Sequence, residues 1–246
     1  MNENLHQNEQ NLNQNDQNLN QNEQTPTPKK RNVHISMEEW IQRMRLAFSN
    51  GKLPNIQEQM GLLGYTTEKL DELLTKVVRL EELHQIQKTE YAQQYAETEK
   101  FDQKFSEIND LYTKHLAFCK ILFKGDTLAG ASLDFAGKRK TAYSDWLVQV
   151  GNFYSQLLKN SAFLTKLQSI NIKEEDLKAV QNKLTEVIAL KESQKKETAE
   201  AQKATEVRDK FFDELYPQYS EFVAYAKVVF AHSQELEALG IVTKKA

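Results

Sequence analysis

Glu81-Glu82-Leu83-His84 carries the one metal-like spacing in this chain. A Glu-x-x-His step sets a carboxylate and an imidazole one helical turn apart, which is half the donor set of a dinuclear site in a helical bundle. Such a site needs the same step on a second helix and an inward Glu from each of two more. The positions matching Glu81 and His84 in the second half of the chain are Ile188 and Lys191. The partner half is therefore missing, and the motif reads as a solvated Glu beside a histidine. The other histidines, His6, His34, His115 and His232, are scattered, and none forms an evident nucleophile and base couple with Cys119. Cys119 matches Ala226, which favours a small core residue over a reactive thiol.

Phosphate chemistry finds no better footing. Gly125, Gly130 and Gly137 lack the spacing of a Walker or dinucleotide loop and no strand precedes them. Lys138, Arg139 and Lys140 in GKRK, and Lys29, Lys30 and Arg31, are the two basic clusters that could touch an anion, against the plainer reading of solvated loop charge. The aromatics Phe101, Phe105, Tyr112, Phe118 and Phe123 recur at helical spacing, so they read as core before they read as a base-stacking surface. No catalytic, cofactor-binding or metal-binding residue is assigned, and no cofactor is called for.

The elements that would position these residues are helices. With 8 Gly and 4 Pro in 246 residues, the chain lacks the punctuation that sheets and tight turns need. Charged residues make up 27% and the net charge is -3, so no general attraction to nucleic acid or an anionic membrane is implied. No run is long and apolar enough to span a bilayer, no secretory leader is visible, and the single cysteine cannot close an internal disulfide. A cytoplasmic location is expected.

Residues Leu70 to Phe123 align without gaps onto Leu177 to Phe230. Gln87-Lys88-Thr89-Glu90 falls on Gln194-Lys195-Lys196-Glu197, Asp102 on Asp209, Phe105 on Phe212, Tyr112 on Tyr219 and Lys120 on Lys227. Upstream, a shift of one residue brings Trp40 onto Trp146 and Phe48 onto Tyr154. This predicts a tandem duplication: a tail over 1–32, a first helical repeat over 33–126, a linker over 127–142 and a second repeat over 143–246. Each repeat begins with a short amphipathic helix carrying the Trp, entered at Ser36 or Ser144. A second short segment follows, at Ile56 to Leu63 or Ala162 to Ile170, and then a long run.

From Thr66 to Lys124 there is no Gly or Pro, and apolar residues hold heptad phase across a polar middle with His84, Gln87 and Gln94. The second copy does the same through Lys191, Gln194 and Thr198. Phase kept in this way argues for one helix of roughly 85 Å in each copy. The expected fold is all-α: two long antiparallel helices, with a Trp-bearing short helix packed at each end and a wet neck between. The alternative bends each run near 90–98 and 197–205 into a compact four-helix bundle. Pro217 is an irregularity for either.

The tail repeats QNEQNLN, QNDQNLN and QNEQ over Gln7 to Gln24, with one leucine per heptad, too few for a coiled-coil seam. It is expected to be disordered, with self-association of the Asn/Gln tract as the sharper alternative. The run ATEVRDKFFDELYPQYSEFVAYAKVVFAHSQELEALGI, with the upstream SDWLVQVGNFYSQLL, resembles an uncharacterised bacterial family of two-repeat all-helical proteins. The resemblance implies a helical fold and a bacterial source and transfers no functional residue; Pro217 stands where an aromatic or aliphatic residue is expected. Three functions remain in play. The first is a non-enzymatic scaffold or adaptor with a protein partner or itself. The second is a nucleic-acid-associated protein using the two basic clusters. The third is a metal-binding bundle.

Overall fold

The computed structural model describes residues 35–231 and 233–241. The tail over 1–32, its basic trio, and His6, His34 and His232 lie outside the described residues. One unit begins at Met37, and among the described residues it contains helices and no strand. The helices are α1 (Met37–Asn50), α2 (Pro54–Leu62), α3 (Thr67–Leu122), α4 (Thr127–Ser132), α5 (Tyr143–Lys159), α6 (Ser161–Gln168), α7 (Glu174–Val229) and α8 (Gln234–Ala238).

The long runs are unbroken. Helices α3 and α7 have 56 residues each, about 84 Å at 1.5 Å per residue. The bent alternative is not what forms. They pack antiparallel, because the start of α3 (Leu70, Leu73, Val77, Leu80) shares a core with the end of α7 (Leu215, Phe222, Ala226). That core also takes α1 and α2 and is called the Trp40 head here. The end of α3 (Phe101, Ile108, Tyr112, Cys119) shares the other core with the start of α7 (Leu177, Val180, Leu184) and with α5 and α6. This is the Trp146 head. Element for element, α1 to α4 match α5 to α8 in order, although three residues separate α1 from α2 and one separates α5 from α6.

Between the heads the two helices bury very little. From Gln85 to Lys100 no residue of α3 is buried, and between Ile188 and Glu214 of α7 only Ala201 is. Polar contacts join them instead: Ser193 Oγ donates to Glu97 Oε2 at 2.9 Å, and Gln194 Nε2 donates to Thr98 Oγ1 at 3.2 Å. The neck is as wet as its sequence implies.

Local signals explain most of the boundaries. Thr66 caps α3 through its side chain, and the carboxylate of Asp176 accepts the Lys173 N–H at the start of α7. The turn before each long helix uses a left-handed residue at the same position, Gly64 (φ 88°) and Asn171 (φ 62°), the two residue types that tolerate it best. Helix α5 starts at Tyr143 rather than behind Ser144, without a side-chain cap. Its entry is fixed by packing of Tyr143 on Phe101 and Trp146. The stretch 127–142, expected as plain linker, holds α4, whose Ala129 N–H donates to the side chain of Asp126. Helix α7 continues through Pro217, an exposed position where the unpaired carbonyl of Asp213 can meet water.

Candidate functional site

Glu81 and His84 share a helix face but do not converge. The Glu81 carboxylate is taken by Arg45 at 2.6 Å. His84 is buried, with its Nε2 2.9 Å from Glu38 Oε1 of α1. That contact is off the direction of a ring N–H, so neither ring nitrogen has an aligned hydrogen-bond partner. Lys88 Nζ reaches the same Glu38 oxygen at 2.5 Å. Lys88 first and His84 second hold the exposed Glu38 carboxyl down at about 2. Sequence reasoning missed Glu38, because only the docking of α1 brings it to the neck.

Three other carboxylates meet in the neck: oxygens of Glu90, Glu197 and Glu200 lie within 4.8 Å of one another. They are half-exposed, and Lys196 Nζ stands 3.8 Å from Glu197 and 3.6 Å from Glu200. The local lysine balances part of the charge without any ion.

The Trp146 head contains the deepest polar pair. His115 Nδ1 and Tyr154 Oη are 3.0 Å apart in the core. Burial lowers the His115 pKa from its ordinary 6.5, with a smaller opposing pull from Asp176, and burial raises the Tyr154 phenol. Cys119, one turn from His115, is fully buried, and its thiol is pushed up to about 12 by desolvation. A thiol at that value carries almost no thiolate at neutral pH, so the cluster has no activated nucleophile. It is packing with two satisfied polar groups.

The GKRK loop is folded onto α5. Arg139 donates to Asn109 Oδ1, which also accepts Trp146 Nε1–H at 3.1 Å. Gln149 accepts the Lys140 N–H at 3.0 Å and donates to the Lys138 carbonyl at 3.2 Å. Of the three cations, Arg139 is anchored, and Lys138 and Lys140 stay at the surface.

Most of the predicted aromatics are core: Phe101, Tyr112 and Phe123 are buried and Phe105 packs on Trp146. Phe118 departs from this. It is 37% exposed and lines a surface groove of about 500 Å³ with Leu111, Lys114, His115, Ile170 and Asn171. The equivalent residues of the Trp40 head line a second groove of about 300 Å³, among them Leu63, Gly64, Lys69, Gln218, Glu221 and Tyr225. Each groove runs between the turn before one long helix and the end of the other. The repeat in the sequence predicts that a surface feature would occur twice, but only folding brings its two sides together.

Charge and apolar surface thus converge at the two ends of the helix pair, while the buried titratable groups serve the cores. Among the described residues no helix is long and apolar enough to cross a membrane. Set against protein-family models, curated proteins and solved structures, the chain matches none of them, and its functional reading rests on this geometry.

Proposed function

We propose that this chain is a non-enzymatic, two-headed helical scaffold or adaptor. In this reading it arose by duplication of one helical unit in a bacterium and works in the cytoplasm, with a coiled-coil-like neck as spacer. One observation carries the reading: two separately packed cores sit at opposite ends of 56-residue helices whose middle buries a single alanine. A neck of that kind contributes little to stability, since burial of apolar area is the main favourable term. What it supplies is distance between two surfaces. The test is cross-linking of the full chain in its native cells, followed by identification of the joined peptides. Protein cross-links concentrated on head surfaces are expected. Their absence to any protein, including the chain itself, would remove the reading. Binding to mixed-sequence DNA and RNA at about 50 and 200 mM salt supplies the counter-test, since salt-sensitive affinity would favour a nucleic-acid role for the basic clusters instead.

A further inference from the structure

Exposed large apolar side chains occur over both heads and the neck, but at three equivalent positions both halves expose one. These pairs are Leu63 and Ile170, Phe118 and Tyr225, and Ile121 and Val228. All three belong to one place in each head. Leu63 and Tyr225 line one groove, and Ile170 and Phe118 line the other. Ile121 and Val228, 75% and 79% exposed, stand one turn further along the same helix faces. Elsewhere an exposed apolar residue in one half faces a polar or buried counterpart in the other: Ile86 matches Ser193, Tyr95 matches Gln202 and Leu128 matches Glu235.

Two of the charges beside this shared apolar surface are reversed, while Lys183 of the Trp146 groove, held by Glu107, keeps its sign in its counterpart Lys76. Lys69 in the Trp40 groove corresponds to Asp176 in the Trp146 groove, and Glu221 corresponds to Lys114. Lys69 pairs at the surface with Glu72, and Asp176 gives one oxygen to the Lys173 N–H, so each keeps a solvent-facing charge. One charged partner seated the same way in both grooves would be attracted at one end and repelled at the other. Like grooves set position on position would put Lys69 against Lys69 and Glu221 against Glu221, which is unfavourable. Set position on position, the surface that matches one groove in both apolar shape and charge is the other groove.

We propose that copies of this chain associate end to end, the Trp40 groove of one against the Trp146 groove of the next. Lys69 then faces Asp176, Glu221 faces Lys114, and Ile121 and Val228 are covered. Because the grooves are different surfaces at opposite ends of the antiparallel pair, the contact is heterologous and leaves each copy a second groove for a further copy. The proposal rests on the scaffold reading and names its partner as a second copy.

Analytical ultracentrifugation of the full chain over a concentration series tests it. The wild-type average mass should rise past that of a dimer, less steeply at high salt. Ile121→Glu and Val228→Glu should each be monomeric at concentrations about tenfold above the wild-type midpoint, with unchanged circular dichroism because both side chains are exposed. Mixed in equal amounts, these two variants should give a dimer and stop there. Lys114→Glu should weaken association, and adding Glu221→Lys in the same chain should restore it. A wild-type mass fixed at the monomer, dimers formed by either Glu variant alone, or association indifferent to all four changes would each overturn the proposal. Cross-links to other proteins alongside a monomeric chain would leave the scaffold reading standing without this partner, and no cross-links at all would remove both.

Discussion

The Trp40 head and the Trp146 head place the same helices around the same positions and fill them with different chemistry. Where the first stacks Phe48 edge-on against Phe222 with centroids 5.5 Å apart, the second sets Tyr154 against His115 at 5.8 Å and adds a hydrogen bond. Trp146 is fully buried and its indole N–H is held by Asn109. Trp40 is half-buried and meets Tyr216, the counterpart of Asn109, edge-on at 5.1 Å. Both solutions close the core. Shape is what the position demands, and a polar pair is tolerated when each member satisfies the other.

The largest effect should come from emptying the apolar version. Phe222 is fully buried against Phe48, Tyr65 and the close backbone of Gly51, so Phe222→Ala should cost about 3–5 kcal/mol. In urea unfolding, the Trp40 head should then melt in its own earlier transition, because the neck couples the heads weakly. Loss of both heads together would break the comparison. Pro217, in the Trp40 head, has Asp110 as its counterpart. Pro217→Ala restores a helix hydrogen bond at an exposed site and should raise the stability of that head by about 1–3 kcal/mol.

The polar version should respond to removal of one partner. Tyr154→Phe leaves His115 Nδ1 buried without its partner, at a cost of about 1–3 kcal/mol. The double change Tyr154→Phe with His115→Phe rebuilds the pair of the Trp40 head and should recover most of the loss in the same assay. If the double variant is no better than the single one, the two heads are not interchangeable at this position.

Acid should separate the heads in sequence. The folded-state pKa of His115 lies below its unfolded value of 6.5. The unfolded chain therefore binds the proton first, and this contribution is present above pH 6.5 and lost as the pH falls below it. In the Trp40 head Glu38 is held at about 2 against an ordinary 4.5, so its contribution survives to pH 4.5 and fades toward 2. Thermal melts followed by the two tryptophans between pH 7 and 3 should show the Trp146 head weakening first, and His115→Phe should remove that early loss. The smallest effect is kinetic: Cys119 should resist thiol reagents at pH 8 until its head opens, and Ala226→Cys would provide the same reporter in the other head.

Much of this was legible before folding. The heptad phase through Gln87 and Gln94 marked a continuous helix, and the match of Trp40 with Trp146 marked two equivalent heads. What escaped were contacts made by distant docking. Glu38 reaches His84 only because α1 lies on α3, and Asn109 joins Arg139 to Trp146 across a loop with no regular period. The short helices α4 and α8 lack the length for a periodic signal, although Asp126, three residues before Ala129, was a readable cap. Phe118 keeps the same helical spacing as its buried neighbours, and periodicity alone cannot tell that the turn at Asn171 stops short of covering it.

The central claim, that two heads are held apart by unbroken helices, is tested most directly by one distance. Spin labels at Glu82→Cys and Thr113→Cys, in a Cys119→Ala background, flank the polar stretch where a fold-back would occur. A single distribution centred at about 47 Å is predicted from 31 residues of continuous helix, and a main population near 20 Å would contradict it.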